Sequence, residues 1–172
     1  MYKRITAGNT ALITGASSGI GLTFATRLAA LGVNLILIAR RIDVLHELKG
    51  KIELEFKVNV RVFCADLSNP NWKEQIPDIV NFNVDYLVNN AGTGYPGEFG
   101  TKEFEEDLKL LQLNCITPLE LTHLFLPKMK AKKRRRDLCF FNNGNAWNSI
   151  YVSIFINQRI PVELRRIFIF RV

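Results

Sequence analysis

The segment from Thr14 to Gly21, with the sequence TGASSGIG, is the feature that most restricts how this chain can fold. It follows an apolar run at residues 11–14 and precedes a helical pattern over residues 22–31. Glycines between a strand and a helix permit a sharp turn, close packing of the helix on the strand, and close approach of a ligand to the backbone. The free N–H groups at the helix N-terminus favour an anion. This context predicts a nucleotide-binding turn, although glycines at this spacing also occur in ordinary turns.

Up to residue 136, strand patterns alternate with helical patterns. The apolar or alternating runs that have strand character lie at residues 11–14, 33–39, 58–64 and 84–88. The stretches with helical character lie at residues 22–31, 42–56, 72–80 and 101–130, the last of which Thr101 could cap. Such alternation is typical of a parallel sheet with right-handed crossovers. We therefore predict an α/β fold: a Rossmann-like, doubly wound parallel sheet, truncated, with its first four strands in the order 3-2-1-4.

The composition changes sharply at Arg136. Residues 137–172 contain no lysine, a single alanine, and many isoleucine, phenylalanine and asparagine residues without a helical period. We therefore predict a partial nucleotide-binding domain over residues 1–136 and an aberrant tail over residues 137–172 that is not a domain. By composition alone, residues 137–141 could still supply a fifth strand.

The formal net charge of the 172 residues is +7, and much of it lies in one run from Lys128 to Arg136. Such a run fits either a patch for nucleic acid or an acidic membrane, or a solvated helix end whose cations suit the helix dipole. No aromatic residue interleaves these charges, as a platform for stacked bases would require. We therefore favour the helix end and predict no nucleic-acid partner.

Cysteine usage and hydropathy indicate the compartment. The three cysteines, Cys64, Cys115 and Cys139, share no metal-ligand spacing, so we predict no metal site. Their odd number fits reduced thiols in a cytoplasmic protein. No apolar run approaches the roughly 18 residues that a membrane-spanning helix needs, and the basic N-terminus lacks the apolar region of a signal peptide. We expect neither a membrane span nor a secretory leader.

Further motifs carry a family resemblance. Asp66-Leu67 follows the third strand, Asn89-Asn90-Ala91-Gly92 follows the fourth, and Asn114 lies in the next helix. With the glycine segment, these motifs occur in the order and at the spacing found in the short-chain dehydrogenases/reductases. The chain resembles the nucleotide-binding portion of that family from residue 8 to about residue 136.

The resemblance implies a set of cofactor-binding residues. The pyrophosphate and the neighbouring ribose would be held by Gly15, Ser17, Ser18, Gly19, Ile20 and Gly21. Asp66 would accept a hydrogen bond from the adenine amino group, and Leu67 would pack on the ring. Asn89, Ala91 and Gly92 would line the cofactor cleft and brace the sheet. Without the family context, Asp66 is a loop carboxylate and Asn89 begins a turn.

The end of the second strand indicates which cofactor is bound. Family members that bind NAD place an acidic residue there, which bonds the ribose 2′-hydroxyl. This chain has Ala39-Arg40-Arg41 instead. An arginine can pair with a 2′-phosphate, and no carboxylate repels that phosphate. We therefore predict that Arg40 favours NADP(H) over NAD(H), whereas the alternative is a solvated charge at the start of a helix.

The resemblance also implies catalytic residues, and most of them are absent. The family uses a tyrosine with a lysine four residues later, an upstream serine, and the helix asparagine that supports a proton-relay water. A phenol is a poor base at neutral pH without a nearby cation. Only Asn114 is identifiable here, because Tyr151 is followed by Phe155 at the position of the lysine.

Three functional hypotheses follow from these observations. The first is a truncated NADP-dependent oxidoreductase of an unknown carbonyl or alcohol substrate, inactive without its tyrosine and lysine. The second is a nucleotide-binding module without chemistry. The third is an interaction protein that uses the basic segment and the apolar tail. The usual oligomer interface of the family should be disrupted, because the helix that would carry the catalytic tyrosine is not identifiable.

The tail itself suggests an explanation for the missing residues. Read from the second base of each codon, residues after about Arg134 can encode a serine followed by Tyr-Ser-Ser-Thr-Lys, and Trp147-Asn148 forces a glycine. We therefore hypothesise that the tail is an out-of-frame translation of a catalytic segment, the alternative being a divergent tail. The gene sequence across codons 130 to 172 should contain Tyr-x-x-x-Lys in the shifted frame. A stop codon early in that frame would disprove the hypothesis.

Overall fold

A computed structural model describes residue 5, residues 7–94 and 100–131, and the backbone of residues 137–140. Five strands form one parallel sheet. In chain order they are β1 (Thr10–Thr14), β2 (Asn34–Ala39), β3 (Val60–Cys64), β4 (Tyr86–Asn89) and β5 (Asp137–Phe140). Their order across the sheet is β3-β2-β1-β4-β5, which confirms the predicted order of the first four strands. The segment that could supply a fifth strand does so, beside β4.

Helices connect the strands on both sides of the sheet. They are α1 (Gly19–Ala30), α2 (Ile42–Phe56), α3 (Phe104–Leu111) and α4 (Thr117–Ala131). Two short 3₁₀ helices, Trp72–Gln75 and Pro77–Asn81, replace the single helical segment predicted at residues 72–80. Pro77 begins the second 3₁₀ helix, so one continuous α-helix does not form across this position.

The long helix predicted over residues 101–130 differs in two respects. It begins at Phe104 with Glu103 as its N-cap residue, so Thr101 does not cap it. A π-helical turn, Gln112–Ile116, also separates α3 from α4. Pro118 has no N–H to donate to the carbonyl of Asn114, and the lost α-helical bond coincides with this wider turn.

The core has two layers because β1 and β2 are covered on both faces. Ile13 and Leu37 pack on one side with Phe24 of α1. Leu12 faces the opposite side and packs with Phe125 of α4. Side chains alternate between the faces of a strand, so a strand covered on both sides must be apolar at nearly every position. This explains the continuous apolar run that predicted β2.

The helices differ in how much apolar surface they bury. In α3, no side chain is fully buried. Its residues Phe104, Leu108 and Leu111 are 68%, 47% and 45% exposed, respectively.

Across the part of the chain that the structure describes, no helix combines the length and the apolar character required to cross a membrane.

Glu120 ties α4 to the loop that follows β3. Its carboxylate accepts a 2.7 Å hydrogen bond from the indole Nε1 of Trp72 and a 2.6 Å bond from Nζ of Lys73. Trp72 is fully buried, so its N–H needs an acceptor within the protein. The Glu120 side chain therefore fixes the position of α4 relative to the loop that lies beside the carboxyl end of the sheet.

Replacing Glu120 with alanine should lower the free energy of unfolding by about 1–3 kcal/mol, because the buried indole N–H loses its acceptor. Urea unfolding monitored by tryptophan fluorescence measures this change. Glu47→Ala is the control, since Glu47 is exposed on α2 and its loss should change stability by less than about 0.5 kcal/mol.

The same contact should depend on pH. Partial burial raises the pKa of Glu120, but the hydrogen bonds from Lys73 and Trp72 and the charge of Lys73 outweigh that effect, so the pKa is lowered on folding. The contribution of the carboxylate is therefore present above the ordinary glutamate pKa and is lost as pH falls through the lowered value. The stability difference between the wild-type chain and Glu120→Gln should shrink over that range. A difference independent of pH would contradict this assignment.

Candidate nucleotide-binding site

A cleft of about 580 Å³ lies at the carboxyl end of the sheet, where the loops after β1, β2, β3 and β4 meet α3. In an open parallel sheet, ligands bind at this edge. The lining residues are Gly15, Ser17, Ser18, Gly19, Ala39, Arg40, Arg41, Ala65, Asp66, Leu67, Ser68, Asn90, Ala91, Gly92, Thr93, Glu106, Lys109, Leu110 and Leu113. The cleft therefore has one wall of loops and a second wall made by α3.

The glycine segment forms the turn between β1 and α1. Gly15 has a φ of +65° and Gly19 a φ of +56°, a left-handed conformation that favours glycine. The amide of Gly15 donates a 2.8 Å hydrogen bond to the carbonyl of Ile38 in β2. A Cβ on Gly19 would meet nothing within 4 Å. The turn is thus anchored on the sheet, while the N-terminus of α1 remains open toward the cleft.

Thr14 and Asn90 join the ends of β1 and β4. The Thr14 hydroxyl oxygen accepts hydrogen bonds from the amides of Asn90 at 3.0 Å and Ala91 at 2.9 Å. In return, Nδ2 of Asn90 donates to the carbonyl of Thr14 at 2.9 Å and to that of Gly15 at 3.2 Å. Both side chains are 2% exposed. Because water cannot replace these bonds, they fix the glycine turn against the loop after β4.

Because Gly15 and Gly21 have no side chain, there is room beside them for the side chain of Asn90. A Cβ on Gly15 would lie 2.9 Å from Asn90 Nδ2, and a Cβ on Gly21 would lie 2.5 Å from the same atom and 2.5 Å from the Gly15 carbonyl oxygen. These distances are too short for a carbon atom. Glycine at position 21 is therefore required for close packing of α1, as its place in the motif predicts.

Asp66 is half-buried at the end of β3. Its Oδ1 accepts hydrogen bonds from the hydroxyl of Ser68 at 2.7 Å and from the amide of Ser68 at 3.1 Å. Partial burial raises the pKa of Asp66, but the bonds from Ser68 and the positive charges of Arg40 and Lys109 together lower it below its ordinary value. The carboxylate is thus ionised at neutral pH and held in one orientation at the cleft.

The two arginines after β2 interact with different residues of the cleft. Nη2 of Arg41 donates to Oγ of Ser17 at 3.0 Å and to the Ser17 carbonyl at 3.4 Å, which links it to the glycine turn. The positive charge of Arg40 instead helps to lower the pKa of Asp66. Both arginines are exposed. Together they provide two positive charges at the position where ribose specificity is determined in this fold.

Asn114 lies in the π-helical turn and contacts the backbone of the loop after β4. Its Nδ2 donates to the Thr93 carbonyl at 2.7 Å, and its Oδ1 accepts from the Thr93 amide at 3.1 Å. Both ends of the side-chain amide therefore bind the backbone of one residue, Thr93. Asn114 holds the loop against the helix, and its relay role stays a prediction.

The structure brings most of the predicted cofactor-binding residues together. Those that line the cleft are Gly15, Ser17, Ser18, Gly19, Arg40, Asp66, Leu67, Ala91 and Gly92. Those that do not line it are Ile20, Gly21 and Asn89, and Asn114, the predicted relay residue, does not line it either. Gly21 and Asn89 are buried beneath the cleft, and Ile20 is 37% exposed on α1. Tyr151 and the rest of residues 141–172 lie outside the described part of the chain.

The wall that α3 contributes to the cleft was not predicted from the sequence. Glu106, Lys109, Leu110 and Leu113 line the cleft from that helix and its π-helical turn. Their spacing of three, four and seven residues is that of one helical face. Since Asn114 was already placed in this helix, the periodicity of the preceding residues could have identified them.

A sequence model described as short chain dehydrogenase matches residues 9–136. A parallel sheet of this order with a glycine turn at its carboxyl edge defines a nucleotide-binding α/β protein. The chain belongs to the short-chain dehydrogenase family. The motifs that suggested the resemblance all lie within the matched range.

Individual relatives agree with this assignment. A fatty acyl-CoA reductase from Acinetobacter baylyi is 30% identical over 168 residues, covering 95% of this chain and 57% of the relative. A very-long-chain 3-oxoacyl-CoA reductase from Kluyveromyces lactis is 36% identical over 129 residues, covering 72% of this chain and 37% of the relative. The chain therefore spans only about half, or less, of the length of these relatives.

A solved structure extends the similarity to three dimensions. The crystal structure of L-sorbose reductase from Gluconobacter frateurii, complexed with NADPH and L-sorbose, superposes with a TM-score of 0.67 at 32% sequence identity. The superposition covers 74% of this chain and 49% of the reductase. The described residues therefore share their fold with about half of this reductase.

Replacing Gly21 with alanine should destabilise the protein by about 1–3 kcal/mol, because the new methyl group would displace the Asn90 amide or the glycine turn. Urea unfolding measures the change. Gly50→Ala is a matched control in α2, since a Cβ there meets nothing within 4 Å. The control should stabilise the helix by up to about 1 kcal/mol. Equal effects of the two substitutions would contradict the packing role of Gly21.

Proposed function

We propose that this chain binds NADP(H) in preference to NAD(H) and derives from an oxidoreductase that transfers hydride between NADP(H) and a carbonyl or alcohol substrate. The observation that carries the proposal is the pair of arginines after β2, at a cleft bordered by the glycine turn. The NADPH complex of the sorbose reductase supports the choice of cofactor.

The residues of the cleft fit this cofactor. The open space at Gly19 would admit a pyrophosphate to the N-terminus of α1. The end of β2 carries Arg40 and Arg41 and no carboxylate, which suits a phosphate on the ribose. Asp66 would orient the adenine amino group, as the resemblance implies. The nicotinamide of the bound cofactor would supply or accept the hydride.

We propose that the chain does not itself catalyse turnover. Asn114 is the single member of the family's catalytic set that the sequence identifies, and its side chain is occupied by the Thr93 backbone. A tyrosine-lysine pair would be needed to move the hydroxyl proton. For the complete protein, a carbonyl of an acyl-CoA is a candidate substrate, because two of its relatives are acyl-CoA reductases.

We retain the proposal that residues after about 134 are read out of frame. The end of the family match at residue 136 supports it. The Acinetobacter relative covers 95% of the chain, so its alignment extends past that point and favours the divergent tail instead. We further propose that the family's usual oligomer interface is disrupted and that the protein is cytoplasmic, as its odd number of cysteines suggests.

Two other functions remain as alternatives. A nucleotide-binding module without catalytic activity would use the same cleft. It differs from the first proposal only in whether the chain derives from an enzyme that had the catalytic segment. An interaction protein is favoured by one observation, the exposed Phe104, Leu108 and Leu111 on α3. Contiguous apolar surface of this kind often marks a contact with a partner.

Replacing Arg40 with alanine should weaken NADP(H) binding about 10-fold or more and NAD(H) binding much less, because a charge-assisted bond to the 2′-phosphate is lost. Isothermal titration of the full chain with each nucleotide measures the two effects. Arg27→Ala, in the last turn of α1 and outside the cleft, removes the same charge and should affect neither nucleotide. Equal losses for NADP(H) and NAD(H) would refute the phosphate role of Arg40.

A further inference from the structure

The α3 wall of the cleft carries a lysine that the proposed function has not used. Lys109 lines the cleft together with Leu110 and Leu113, and it faces the loops that carry Arg40 and Asp66. Lys109 is exposed, so its ammonium group is hydrated in the free protein and accessible to a ligand.

Most other charges in the cleft have short-range partners. Glu106 pairs with Lys102 at 3.4 Å, Arg41 bonds to Ser17 at 3.0 Å, and Asp66 accepts from Ser68. Among the residues that the structure describes, no hydrogen bond or ion pair engages the side chains of Arg40 and Lys109. These two cations are therefore the charges most available to an anionic ligand.

Arg40 and Lys109 line the same cleft, Arg40 after β2 and Lys109 on α3. Both positive charges act on the Asp66 carboxylate and contribute to its lowered pKa. Arg40 extends from the end of β2, where the ribose of a dinucleotide lies in this fold, whereas Lys109 extends from the opposite wall. Leu67 and Leu110 also line the cleft and offer apolar surface for a base.

We propose that Lys109 is a second phosphate-recognising residue of this cleft and, together with Arg40, selects a nucleotide whose adenosine ribose carries a phosphate. The inference rests on the proposed NADP(H) binding and adds a specificity residue to it. A phosphate held between two cations from opposite walls is bound more selectively than one held by a single arginine. Lys109 acts as a point charge, whereas Arg40 can bind two phosphate oxygens.

The test is isothermal titration of the full chain and its variants with NADP⁺ and NAD⁺. Lys109→Gln should weaken NADP⁺ binding about 3- to 10-fold and NAD⁺ binding less than about twofold. Lys109→Arg should retain the selectivity, since it keeps the charge. Lys51→Gln is the matched control, because Lys51 is exposed on α2 outside the cleft. It should leave both affinities within about twofold.

The double variant Arg40→Ala/Lys109→Gln tests whether the two cations share one phosphate. If they do, its loss of NADP⁺ affinity should differ from the product of the single losses. A wild-type chain without preference for NADP⁺ would refute the proposed function itself. A selective wild-type chain whose Lys109→Gln variant matches Lys51→Gln would refute only the role of Lys109. Equal weakening of both nucleotides by Lys109→Gln would also overturn it, since the lysine would then serve the shared pyrophosphate.

Discussion

The buried contact between Thr14 and Asn90 is the interaction on which the geometry of the cleft depends. It joins the carboxyl ends of β1, the central strand of the five-stranded sheet, and its neighbour β4. Each partner satisfies polar groups of the other's backbone, so loss of either side chain would leave buried donors or acceptors unpaired. The glycines at positions 15 and 21 follow from this contact, because the Asn90 amide fills the space that their side chains would need.

The fold was predictable from the sequence because its determinants are local. An apolar strand such as β2, covered on both faces, cannot be mistaken for a half-exposed one. In the glycine turn, a side chain at position 21 would clash with neighbouring atoms, so the motif requires glycine there. The π-helical turn was not predictable in the same way. The turn coincides with the missing N–H of Pro118 and with the hydrogen bond from the Asn114 side chain to the loop after β4. Neither the strand pattern nor the helix pattern of the sequence indicates that hydrogen bond.

The charges of the cleft show a second limit of sequence analysis. Arg40 and Arg41 are neighbours, and the sequence offers no reason to separate their roles. In the structure, Arg41 turns to Ser17 and Arg40 remains near Asp66. Lys109 joins them from α3, which is nearly 70 residues further along the chain. This binding site is assembled from segments that are distant in sequence. Motifs therefore identify only some of its residues, because motifs consist of contiguous residues and the other site residues are brought in by packing.

The bidentate contact of Asn114 with the Thr93 backbone has a consequence for how this region can change over evolutionary time. The contact is made to the backbone N–H and carbonyl of Thr93 and involves no atom of the Thr93 side chain. Many residues at position 93 would preserve it, so the loop is free to alter the chemistry it presents to the cleft. Position 114 has no such freedom, because few side chains donate and accept at once in this geometry. A fixed asparagine thus allows variation in the loop that it anchors.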